Sequence, residues 1–314
     1  MQRKITIIGA GSVGSTIAYT LSNTDIASDI VLIDINKEKA EGEVMDIIQG
    51  TCFRDPISIT AGDYCDAIDS NIVIITSGLP RKPGQTRLEL TQNNVNILKQ
   101  ITPEIVKYAP DALYIIVSNP VDIMTYMFTK ISGIPENQII GSGTILDTAR
   151  LRYGLSEKLN VAQKNIHAHV LGEHGDTSFI PWSNVIVSTT NIDYYYEIAK
   201  ESNIHCEQID KEEMINYVRK SGGKIIANKG ATYYAVSASV VNLCSILTAS
   251  SSSIATVSTM LHGEYGLDDV CLSVLTLVGP NGVEGKLEAK LTSEEIDKLH
   301  KSANALKEII AGIE

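Results

Sequence analysis

The chain is predicted to be an α/β protein, with a doubly wound parallel sheet in its first half and a mixed α+β domain in its second. Short continuous apolar runs alternate with longer amphipathic ones up to about residue 143, a glycine-rich loop follows the first apolar run, and long helical stretches dominate afterwards. Apolar strands without polar alternation are buried on both faces. Strands separated by helices run parallel.

"KITIIGA" (4–10) reads as a buried strand, and "SVGSTIAYTLSN" after it carries Val13, Ile17 and Leu21 at helical spacing. "DIVLIDIN" (29–36), "NIVIITSG" (71–78) and "ALYIIVSNP" (112–120) read as further strands, with a weaker one at "QIIGSG" (138–143). Between the third and fourth, Val95, Leu98, Ile101, Ile105 and Val106 make a helix stripe. "SGLPRKPGQTRLEL" (77–90) reads as a proline-glycine loop. Past residue 143, "TILDTARLRYGLSEKL", "GKIIANKGATYYAVSASVVNLCSIL" and "TSEEIDKLHKSANALKEIIAG" are helical, the last opening with Thr292 and Glu295 at capping-box spacing. "NIHAHVLGEH", "WSNVIVS" and "DVCLSVLTLVG" are strand-like. The division expected is 1–142 for the sheet domain and 143–314 for the second, packed tightly because no low-complexity linker separates them.

At 314 residues the chain has room for two cores. Its net charge of −11 argues against nucleic acid or a membrane surface as partner, since both need a positive field. Five cysteines, odd in number and without a CxxC, suit buried thiols in a reducing compartment, so the expected location is the cytoplasm. No apolar run approaches 18 residues.

"GAGSVG" sets Gly9, Gly11 and Gly14 in GxGxxG spacing between a strand and a helix, and Asp34 closes the next strand 20 residues after Gly14. That context is the fingerprint of a Rossmann dinucleotide site. Gly9 allows the tight turn, Gly11 lets backbone approach the pyrophosphate, and Gly14 lets the helix pack close. Asp34 would accept from the adenosine ribose and repel a 2′-phosphate, which favours NAD over NADP.

"GEHGD" supplies His174 between Gly172 and Gly175. His167 and His169 lie nearby, but their spacing fits strand alternation better than a ligand set, and no metal is expected. "ILDTAR" offers Asp147 and Arg150 three apart on one helix, and "SNP" offers Asn119 at the carboxyl edge of the sheet, where open sheets bind ligands. With Arg87, these residues supply an acid–base group, an aspartate to orient it, and donors for an oxyanion and a carboxylate.

The motifs "GAGSVGS", "TRLEL", "VSNPVD", "GSGTILDTARLR" and "GEHGDTSF" resemble the lactate/malate dehydrogenase family over nearly the full length. The resemblance implies NAD-linked interconversion of a 2-oxo acid and an L-2-hydroxy acid by a homo-oligomer, a dimer or tetramer. It implies that His174 gives a proton to the carbonyl oxygen, that Asp147 holds the imidazole, and that Arg150 grips the substrate carboxylate. Arg87 would close on the carbonyl from a mobile lid. Asn119 would bond near nicotinamide and substrate.

Arg81, six residues before Arg87, occupies the position where this family reads the substrate side chain. Arginine there resembles malate enzymes, where it pairs with the second carboxylate of oxaloacetate. Thr232 in "GATYY" resembles a pocket-wall threonine of lactate enzymes. The expectation leans to oxaloacetate and L-malate, with pyruvate and L-lactate, or both acids, as the alternative. Arg152 matches an arginine that binds a sugar-bisphosphate activator in some bacterial lactate enzymes, but Asn184 stands where its histidine partner would be.

Two other classes fit less well. An NAD- and metal-dependent glycoside hydrolase needs a cysteine beside the asparagine, where Ser118 stands. An NAD-binding sensor has no need of a proton donor.

Overall fold

The computed structural model describes residues 3–80, 84 and 86–313. The glycine-rich loop and its flanks come first: β1 (Lys4–Ile8), α1 (Ser12–Leu21) and β2 (Asp29–Ile33). Then follow α2 (Lys37–Gln49), β3 (Ser58–Ala61), β4 (Ile72–Ile75), α3 (Arg87–Tyr108), β5 (Leu113–Ile116), α4 (Val121–Ser132) and β6 (Ile139–Gly141). These six strands are parallel, in the order β6-β5-β4-β1-β2-β3. The Rossmann-like parallel sheet expected of the first half is present.

β4 shows why its sequence has no polar alternation. Ile72 and Ile74 join the core with Ile17 of α1, while Val73 and Ile75 join the core with Val95 and Leu98 of α3. Both faces are covered, so every position is apolar. Three elements of this half lie outside the expectation, α2, β3 and α4. β3 is an edge strand in which only Ile59 is fully buried, so it carries little apolar signal.

The second half contributes α5 (Ile145–Leu159), β7 (Ile166–His167), β8 (Ile186–Val187), β9 (Thr190–Asn191) and α6 (Ile192–Glu201), then α7 (Lys211–Lys229) and α8 (Tyr234–Leu247). β10 (Ser253–His262), β11 (Asp268–Gly279), β12 (Gly282–Lys286) and α9 (Ser293–Ile310) complete it. β7-β8-β9 form a small antiparallel sheet, while β10, β11 and β12 extend the parallel sheet to nine strands through the antiparallel pair Ser258–Gly141. α8 packs beside α1, with the Ser237 hydroxyl 3.4 Å from the Val13 carbonyl. The Thr292–Glu295 capping box is formed.

The stretch 223–247 is not one helix. Gly230, at φ 86°, ends α7, and residues 231–233 separate it from α8. A left-handed residue stops a helix, and glycine adopts that conformation without a Cβ penalty. The break leaves Thr232 between two helices.

Candidate active site

The loop after β1 closes on itself. Gly9 has φ 108°, and a Cβ on Gly14 would lie 1.8 Å from the Gly9 carbonyl oxygen. Gly11 is the N-cap of α1 with no side-chain cap and open space around its Cα. Uncapped helix N–H groups with room in front of them form an anion site. Asp34 directly follows β2, with Oδ2 accepting from the Ala10 N–H at 2.6 Å and Oδ1 from the Asn36 N–H at 2.9 Å. It is only partly buried. A carboxylate just past the strand, beside an uncapped helix, suits an adenosine ribose next to a pyrophosphate.

At the carboxyl edge of the sheet, the first turn of α5 meets the loop after β7. His174 Nδ1 lies 2.5 Å from Asp147 Oδ2, and Arg150 Nη1 donates to Asp147 Oδ1 at 2.9 Å. An ionised carboxylate only accepts, so the Nδ1 position carries hydrogen and Nε2 is free to exchange a proton. Asp147 is 7 % exposed, Arg150 13 % and His174 27 %. Burial alone would push the Asp147 carboxyl up, but the His174 and Arg150 charges outweigh it and hold it below the usual carboxylate range. The Asp147 charge raises the His174 imidazole above its ordinary value, against the opposing effect of burial. The Arg150 guanidinium also lies against α7, 3.5 Å from where a Gly222 Cβ would be.

Asp122, in the first turn of α4, lies behind the histidine. Its Oδ2 accepts the His174 peptide N–H at 2.8 Å and its Oδ1 the Ser258 hydroxyl at 2.6 Å. It is buried, and burial pushes its carboxyl up. The sequence reading missed this residue, although "SNPVD" places an acid in an otherwise apolar helix start.

Arg87 is not on a loop. Thr86 and Glu89 form a reciprocal capping box that starts α3 at Arg87. The signal was present as Thr-x-x-Glu in "TRLE". The guanidinium pairs with Glu173, the residue before His174, rather than standing free. Glu173 was also missed.

Asn119 follows β5 with its side chain exposed, and its carbonyl accepts from Asn94 Nδ2 at 2.7 Å. Asn94 also grips Leu79 on both sides of its peptide, tying the strand end to α3. Thr232 is partly buried. Arg81, the specificity candidate, lies outside the described residues. His167 is exposed, Ala168 buried and His169 partly buried, the alternation of an extended chain. Burial lowers His169 to about 4. Asn184 Nδ2 donates to the Lys290 carbonyl and Arg152 Nε to the Ala168 carbonyl.

Comparison with known proteins bears on this arrangement. Residues 3–141 match the family model "lactate/malate dehydrogenase, NAD binding domain", and residues 144–314 match "lactate/malate dehydrogenase, alpha/beta C-terminal domain". An L-lactate dehydrogenase of Acetivibrio thermocellus is 49% identical over 98% of this chain and 96% of its own length. L-lactate dehydrogenase 1 of Clostridium acetobutylicum is 45% identical over 99% and 98%. The crystal structure of a minor L-lactate dehydrogenase from Enterococcus mundtii, in a ligand-bound form, superposes with a TM-score of 0.94 at 36% identity, covering 100% of this chain and 99% of that one.

Proposed function

The chain belongs to the lactate/malate dehydrogenase family, and on that premise we propose that it interconverts pyruvate and L-lactate. The coarser activity is that of an NAD-dependent 2-hydroxy acid dehydrogenase. The choice of pyruvate departs from the oxaloacetate lean of the specificity position. It rests on full-length relatives at 45–49% identity that carry the lactate name. Thr232 supports the same choice.

NADH, when bound along Gly9, Gly11, Gly14 and Asp34, supplies the hydride. The protein's part is positional and protonic. Arg150 binds the substrate carboxylate through the fork of its guanidinium. His174 Nε2 gives its proton to the carbonyl oxygen, and Asp147 holds the imidazole and favours its cation. Arg87 polarises the carbonyl, and Asn119 donates beside it. The observation that carries these roles is the His174–Asp147–Arg150 cluster at the carboxyl edge of the sheet.

The second reading is L-malate, carried by Arg81: a guanidinium closed over a methyl group would be buried without a partner. Steady-state reduction of pyruvate and oxaloacetate, side by side, decides between them. A higher kcat/KM for pyruvate is expected, and a preference for oxaloacetate would replace the lactate reading by the malate one. We place the domain division at 142/143. We also propose a homo-oligomer, a dimer or tetramer, supported by the exposed Met45, Ile48 and Phe53 on and after α2. Light scattering tests that assembly.

A further inference from the structure

Glu173 is 1 % exposed, yet every oxygen of its carboxylate is engaged. Oε1 takes Arg87 Nη2, and Oε2 accepts the Thr177 hydroxyl at 2.5 Å. Its peptide N–H donates to Ser302 Oγ of α9 at 2.6 Å, and Thr177 Oγ1 lies 2.9 Å from the same oxygen. The next residue is His174, whose own N–H is held by Asp122 at 2.8 Å. A Cβ on Gly175 would lie 2.8 Å from Glu173 Oε1 and 3.3 Å from Arg87 Nη2, so the pair sits directly against the histidine loop.

We propose that Glu173 is a positioning residue for the reaction, fixing the Arg87 guanidinium in register with His174 before substrate arrives. The inference rests on the roles given above to Arg87 and His174. A buried carboxylate that loses its cation is costly, so substrate binding does not pull Arg87 away from Glu173. It need not, because a guanidinium has five N–H donors. The Arg87 side chain stays 41 % exposed with one nitrogen in the pair, which leaves the remainder of the fork able to reach a carbonyl oxygen. Successive residues, Glu173 and His174, then hold the two groups that act on that oxygen. Glu173 acts only through Arg87, and Arg87 acts where charge develops in the transition state, so the effect falls on kcat more than on KM.

Glu173→Gln removes the charge and keeps the geometry: its amide oxygen accepts from Arg87, and its amide nitrogen donates to Thr177. The test is a double-mutant cycle on 2-oxo acid reduction. Glu173→Gln should lower kcat about tenfold, with KM changed less than about threefold, and should cost less than about twofold when added to Arg87→Gln. Equal losses in both backgrounds, or no loss in either, would overturn the inference and leave the activity reading standing. If Glu173→Gln does not fold, Thr177→Ala, which frees one carboxylate oxygen, takes its place in the same cycle with a loss of about threefold expected. A wild type that turns over neither pyruvate nor oxaloacetate overturns the activity reading and this inference together.

Discussion

Asp147 Oδ2 sits 2.5 Å from His174 Nδ1 while its other oxygen holds Arg150, so one buried carboxylate orients two of the cationic groups of the site. The pair raises the imidazole above its ordinary value of about 6.5. Reduction uses the protonated ring. Its kcat/KM should be flat at low pH and fall about tenfold per pH unit above the raised value. Oxidation uses the neutral ring and should fall as pH drops through the same value. Stopped-flow or steady-state profiles in both directions check this, and His174→Asn retaining normal turnover would remove the assignment.

Asp147→Asn keeps the side-chain shape but removes the charge that raises His174. The fall in reduction rate should move to lower pH, toward the ordinary histidine range, and turnover near neutrality should drop about 10²-fold or more. NADH affinity, measured by fluorescence titration, should stay near that of the wild type. A parallel loss of NADH binding would mean that the substitution had disturbed the fold rather than the proton donor.

Asp34 bonds the Ala10 and Asn36 peptide N–H groups from the end of β2. Its charge disfavours a 2′-phosphate, so kcat/KM with NADH should exceed that with NADPH. Asp34→Ser should narrow the gap by about tenfold or more through relief of that repulsion. Equal use of both cofactors by the wild type would show that Asp34 does not discriminate.

These residues were legible in the sequence for different physical reasons. Gly9, Gly14 and Asp34 stand at fixed offsets on a strand–turn–helix unit, so local geometry predicts where they go. Asp147 and Arg150 share one helix while His174 comes from a separate segment, and their chemical types, an acid–base group with an aspartate and a carboxylate-binding arginine, grouped them before their bonds could be seen. Asp122 and Glu173 escaped because a buried acid has no periodic signature: its partner, a peptide N–H in one case and Arg87 in the other, is distant in the chain. Arg87 was placed on a loop because proline and glycine precede it, yet the Thr86–Glu89 capping box starts the helix there. The break at Gly230 was hidden by apolar residues continuing on both sides.

We propose a substrate-selecting role for Arg81 from its place in the sequence, six residues before Arg87. If its guanidinium meets the substrate, it attracts a second carboxylate and penalises a methyl group. Arg81→Gln removes both effects, so the pyruvate-to-oxaloacetate ratio of kcat/KM should rise about 10²-fold, whichever acid the wild type prefers. Most of that change should come from loss of oxaloacetate reduction, because a neutral amide cannot balance a buried distal carboxylate. Pyruvate reduction should hold or improve, since Thr232 already resembles the wall of a pyruvate pocket and no cation then has to be desolvated. Initial rates with both acids at fixed NADH give the ratio directly. A ratio that stays within about twofold would mean that Arg81 takes no part in selecting the acid. Selection would then rest on the pocket wall, and Thr232→Ala would be the variant to move the ratio instead.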